Sequence, residues 1–131
     1  MTMLQNKGLS LLAWVQGIYF FITGIWPLVH MPSFLFVTGP KTDLWLVETV
    51  GILITSISIG ILLSAYTKDI GKPIILIAIS SAGGMATVDI TYVIKRIISP
   101  VYLLDAIPEV LFILCWFFIL LKGKENNHGK N

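Results

Sequence analysis

Apolar residues in this chain run on for whole helix lengths instead of alternating with polar ones. Four such stretches recur, from Gly8 to His30, Leu44 to Tyr66, Pro73 to Ile94 and Val101 to Leu121. Each holds about 21–23 residues, enough to cross a hydrocarbon core of roughly 30 Å as a helix. Strands crossing a membrane would show segments of about ten alternating residues, and the chain has none of that pattern. The connections Met31–Asp43, Thr67–Lys72 and Lys95–Pro100 are short, so neighbouring helices are expected to run antiparallel. The expected fold is all-α: a left-handed, antiparallel four-transmembrane-helix bundle. It forms a single transmembrane domain over 1–131, with a polar tail from 122 to 131. No internal repeat stands out.

Composition narrows the class further. Hydrophobic residues make up 56% of the 131 residues and charged ones only 12%, about half the usual charged share of a soluble domain. A mean hydropathy of +0.87 leaves little room for a water-soluble globule or a disordered chain. The net charge of +2 is too small to point to nucleic acid. Cys115 is the lone cysteine, so neither an internal disulfide nor a cysteine-rich metal site is available. It reads as a small core residue near the end of the fourth helix.

Four spans put both termini on one side. Lys7, Lys68, Lys72, Lys122, Lys124 and Lys130 would share that side, against Lys41, Lys95 and Arg96 on the other. The excess places both termini in the cytoplasm and the protein in the cytoplasmic membrane, taken as a bacterial inner membrane. Trp14, Tyr66 and Trp116 would form the inner aromatic belt, and Trp26, Trp45, Tyr92 and Tyr102 the outer one. The first span is too long for a signal peptide, and no clean small-residue cleavage site follows it. It is expected to be retained.

Small residues recur at helical spacing as Ser56, Gly60 and Ser64, and as Ser80 and Gly84 beside Ala82 and Ala86. Such faces let backbones approach where no hydrophobic effect drives association. They predict packing of the second helix on the third, with a homo-oligomer face as the alternative. Pro27 and Pro108 lie inside helices and each removes one backbone hydrogen bond.

The ionisable residues within the spans are His30, Glu48, Asp89, Asp105 and Glu109. At 1.5 Å of rise per residue, Glu48 lies about 6 Å below the outer start of its helix, and Asp105 and Glu109 about 6 and 12 Å below theirs. Asp89 falls in the outer half as well, and His30 closes the outer end of the first helix. Gln16, Tyr19, Thr23, Trp26 and His30 form one stripe at spacings of three and four. Glu48, Gly51, Thr55 and Ser58 form another, as do Met85, Asp89, Tyr92 and Arg96. Lipid cannot satisfy these groups, so the stripes are expected to face one another. The candidate ligand-binding set is therefore Tyr19, Trp26, His30, Glu48, Asp89, Tyr92, Asp105 and Glu109. The structural alternative pairs Asp89 or Asp105 with Lys95 or Arg96, and Lys41 with Asp43 or Glu48. No tight metal-ligand motif and no nucleophile signature appears. No cofactor is assigned and no catalytic residue is named.

The second span reads Glu48-Thr-Val-Gly51, with Gly60-Ile-Leu-Leu further along. This resembles the DoxX-like families of small bacterial four-helix membrane proteins. The resemblance implies the four-helix fold and a link to quinone or thiol redox systems. A single cysteine departs from dithiol chemistry. A looser similarity is to the emopamil-binding type of four-helix protein, which binds sterol-like amines and in some members isomerises sterols. It rests on Gly17-Ile-Tyr19-Phe, Glu48 and a proline in the fourth helix. Either resemblance carries over only Glu48.

The expected function is binding of a small apolar or lipid-like molecule, a quinone among them, in an acid-lined cavity in the outer half of the bilayer. An acid/base enzyme acting on an isoprenoid, quinone or sterol-like substrate is the first alternative. An accessory subunit of a membrane complex, with no ligand of its own, is the second.

Overall fold

The computed structural model describes residues 3–129, and side chains over 7–124 and at 129. It is all helical, with α1 over Met3–Val29, α2 over Met31–Thr38, α3 over Leu44–Thr67, α4 over Lys72–Ile94 and α5 over Leu103–His128. A 3-10 turn, Pro100–Tyr102, leads into α5. Four segments are long and apolar enough to cross a membrane: Lys7–Val29, Leu44–Thr67, Lys72–Ile94 and Pro100–Lys124. The sequence places these spans within one to three residues at most ends. Lys130, counted with the charges around the termini, lies outside the described residues. The segment from 122 read as a polar tail is helical as far as His128, as the end of α5.

The eight-residue α2 is absent from the sequence expectation, which has a plain connection there. Its stops are local. His30 leaves the helical region at φ −146°, and its Nδ1 accepts from the Ser33 N–H at 3.2 Å. Pro32 sits in the first turn, where its missing N–H costs nothing. Gly39 ends the helix at φ +100°, a conformation open chiefly to glycine, and donates its N–H to the Leu35 carbonyl at 2.8 Å. At the opposite end of the bundle, Lys68 closes α3 in the left-handed region at φ 58°, donating to Ala65.

The helices pack as two pairs. α1 lies against α3, α4 lies against α5, and α1 also meets α5, whereas α3 and α4 barely touch. The α1–α3 contact is a backbone contact. A Cβ on Gly51 would stand 2.7 Å from the Gly24 carbonyl oxygen, and one on Gly24 would stand 2.9 Å from the Thr55 nitrogen. This corrects the expectation that small residues join the second and third spans. Gly60 and Gly84 have nothing within 4 Å of a built Cβ, and Ser56 and Ser80 are exposed. The serine hydroxyls need no neighbour, because each turns back onto its own helix, Ser56 to the Ile52 carbonyl at 2.8 Å and Ser80 to that of Ile77 at 3.4 Å.

The core gathers Leu9, Ala13, Phe20, Ile61, Ala65, Ala78, Ala82, Phe112 and Trp116. Fully buried Gln16 ties three helices together there. Its Nε2 donates to the Ala78 carbonyl of α4 at 2.9 Å, and its Oε1 accepts from Trp116 Nε1 of α5 at 2.6 Å. Trp116 therefore sits in the core and not in an aromatic belt. The outward faces are covered with large apolar side chains, Phe36, Leu76, Ile94, Leu104 and Phe118 among them. Patches of that extent fit a lipid surround.

Candidate functional site

A cavity of about 620 Å³ opens where α1 ends and α3 begins, within the range of small-molecule sites. α1 supplies Tyr19, Thr23, Trp26 and Pro27 to its wall, at the spacing of the sequence stripe. α3 supplies Leu46, Val47, Val50, Gly51 and Ile54, and α4 supplies Gly84, Met85, Val88 and Asp89. Leu104 and Asp105 of α5 complete it.

α2 and the 3-10 turn close one end. Phe34, Val37 and Thr38 line the cavity from α2, and Val101 and Tyr102 from the turn. Trp26 holds α2 down. Its indole N–H donates to Ser33 Oγ at 2.8 Å, and its ring meets Phe34 edge-on with centroids 5.6 Å apart. Lys41 clamps α2 to the turn, with its ammonium 5.4 Å from the Phe34 centroid and 5.2 Å from that of Tyr102. It donates to Thr38 Oγ1 at 2.9 Å and to the Gly39 carbonyl at 3.3 Å. Lys41 itself reaches the cavity wall, a placement that sequence reasoning missed by treating it only as an ion-pair partner.

The polar end is made by Tyr19, Asp89 and Asp105, with Glu109 adjoining. Tyr19 Oη donates to Asp105 Oδ1 across the α1–α5 interface, and the Tyr19 ring is fixed edge-on to Phe112 at 5.7 Å. Asp89, 7% exposed, lines the cavity with Oδ2 unpartnered. Asp105 lines the same wall. Glu109, one helical turn beyond Asp105, is fully buried, and neither of its oxygens has a partner. Leaving a buried polar atom unpaired costs about 1–3 kcal/mol, more when it is charged.

Of the expected basic partners, Arg96 is exposed and the two lysines are engaged elsewhere. Lys95 lies 5.6 Å over the Tyr92 ring, and Lys41 serves α2. Among the described residues, no group of three or more His, Cys, Asp and Glu side chains could hold a metal ion.

Of the eight candidate residues, Tyr19, Trp26, Asp89 and Asp105 meet at the cavity, and Glu109 follows Asp105 one turn along α5. Glu48, His30 and Tyr92 do not line it. Glu48 is exposed on α3, although Gly51, one turn further along the same stripe, is buried against Gly24. Exposed His30 caps α2 and shares a 2.7 Å hydrogen bond with Ser33 Oγ. Tyr92 is exposed beneath Lys95.

Compared with known proteins, the chain matches no family model, no curated protein and no solved structure. The molecule is thus defined by its own features: four helices with the length and hydropathy of membrane spans, and a cavity whose polar end holds Tyr19, Asp89 and Asp105.

Proposed function

We propose that this chain is a multi-pass protein of the cytoplasmic membrane that binds a small apolar or lipid-like molecule in the cavity beside Asp89. The observation that carries the reading is a largely apolar cavity of about 620 Å³ with two acids, Asp89 and Asp105, in its wall. Functional sites are where folds tolerate such groups. Trp26, Phe34 and Tyr102 offer aromatic surface to the rest of the ligand.

In this reading the four spans cross the bilayer as an antiparallel bundle with both termini in the cytoplasm and the cavity in the outer half. The charge excess around the termini supports that orientation. A reporter active only outside the cytoplasm, fused after Lys124, is expected to stay silent. A signal from that fusion would reverse the orientation and move the cavity to the inner half.

Native mass spectrometry of the protein taken from its membranes tests the binding reading. The wild-type chain is expected to carry an extractable small molecule, and Asp89→Leu to lose it while remaining folded. An empty wild-type cavity at every lipid composition would count against binding. Acid/base catalysis on a bound lipid-like substrate is the second reading, and the hydrogen-bonded Tyr19–Asp105 pair beside Asp89 is the observation that favours it. A DoxX-like relationship is proposed only on the Glu48 motif, and Glu48 lies outside the cavity wall.

A further inference from the structure

We propose that α2 is a pH-operated cover over one end of the cavity, latched by the neutral imidazole of His30 and released when that ring takes up a proton. Such a cover works whatever molecule the cavity takes, so it stands apart from the binding reading.

α2 is weakly anchored for a helix that lines a cavity wall. It has eight residues and none of them is buried. A helix of that length has little stability of its own. Its supports are few: Trp26 donates its indole N–H to Ser33 Oγ, Lys41 lies over the Phe34 and Tyr102 rings, and His30 caps the first turn. Phe34, Val37 and Thr38 line the cavity, so releasing α2 opens that end.

The cap exists in one charge state. The Ser33 N–H donates to His30 Nδ1 at 3.2 Å. A backbone N–H can only donate, so Nδ1 presents its lone pair and the ring proton sits on Nε2. A second proton enters at Nδ1 itself. Ser33 Oγ, 2.7 Å away, can accept it, but the Ser33 N–H then loses its acceptor and faces another donor. The positive ring also stands at a helix N-terminus, where the helix dipole disfavours cations.

The surroundings do not offset that charge. Among the described residues, the side-chain hydrogen bonds of His30 go to Ser33. The elements packed on α2 are α1 and the 3-10 turn. α1 carries no ionisable side chain from Phe20 to Val29, and α2 carries none. The turn brings Tyr102, which lies under Lys41, and Lys41 is itself a cation, bonded to Thr38 at the far end of α2. Asp43 and Glu48, at the start of α3, are exposed. His30 is exposed just past the Lys7–Val29 span, so protons from water reach it. Histidine changes charge within about pH 5–8. The cap is complete while the ring is neutral and is lost as the pH falls through that range.

Hydrogen exchange of the full chain in phosphatidylcholine nanodiscs, at about pH 8 and about pH 5 and corrected for the intrinsic pH dependence of exchange, tests the latch. Protection of the α2 amides is expected to drop about 2- to 30-fold on acidification, the range for loss of an N-cap, while α4 stays unchanged. His30→Asn keeps a capping acceptor that does not titrate, so it should hold α2 protected under both conditions. His30→Ala should leave α2 unprotected under both. These variants keep every other titratable group, His128 included. Equal drops in wild type and His30→Asn, or a wild-type α2 that stays protected in acid, would overturn the latch. Spin labels on Phe36→Cys and Ile77→Cys, both exposed positions, in a Cys115→Ser background read the opening. Their distance distribution should broaden in acid with His30 and stay narrow with His30→Asn. A distribution that stays narrow in both would overturn the opening. Neither readout uses a ligand, so failure here leaves the binding reading standing.

Discussion

Gly51→Val is expected to push α1 off α3 and cost the protein much of its stability. The added Cβ alone would stand 2.7 Å from the backbone oxygen of Gly24 and 3.4 Å from Leu28. A carbonyl oxygen in a helix has no rotamer to escape into, so the helices must separate. Gly24→Val meets the same obstacle from the other side, at the Thr55 nitrogen. Overpacking of this kind costs about 1–3 kcal/mol or more. For a chain of this length that corresponds to roughly 4–11 °C in melting temperature. Separation also opens the cavity wall at Gly51, so binding should fall with stability. Gly60→Val on the same helix provides the comparison, because nothing lies within 4 Å of its Cβ. It should melt close to wild type. Thermal unfolding in detergent distinguishes the two, and equal losses at Gly51 and Gly60 would contradict the α1–α3 backbone contact.

Glu109→Met should act in the opposite direction and stabilise the bundle. Both Glu109 oxygens are buried without a partner, and methionine has similar reach with no group to satisfy. Replacing a buried, unsatisfied polar group by a shaped apolar one is neutral or favourable, here by about 1–3 kcal/mol. The same change removes a carboxyl next to the polar end of the cavity, and ligand retention is expected to drop. A gain in stability with a loss of binding marks a group kept for function. A marked loss of stability in Glu109→Met would instead show that Glu109 has a structural partner in the bilayer. Glu48→Gln is the contrast: Glu48 is exposed and outside the cavity wall, so neither stability nor ligand retention should change appreciably.

Much of this molecule follows from hydrophobic run length alone. A run of about twenty apolar residues in lipid must be helical, because no water is present to satisfy an open backbone. That is why α1, α3, α4 and α5 are legible and their ends nearly so. The α1 stripe is legible for a related reason: Tyr19, Thr23 and Trp26 recur at helical spacing, and a polar stripe has only the bundle interior to face. Depth is also set by sequence, since rise per residue is constant.

Rotation about the helix axis is not set that way. Glu48 has the depth expected of a site residue. The inner side of α3 is the one that seats Gly51 against Gly24, yet Glu48, one turn nearer the helix start on that stripe, is exposed. A glycine signals close approach, but its sequence does not say to which helix, and here it was the first and not the third. The same limit hid α2 and the role of Lys41. An eight-residue helix bounded by His30 and Gly39 is too short to declare itself by periodicity. It becomes a cover only because Trp26, Phe34, Lys41 and Tyr102 meet across segments distant in sequence. Residue types put acids inside the spans. Only the pairing of helices, α1 with α3 and α4 with α5, left Asp89 and Glu109 without bases and opened a cavity beside Asp89.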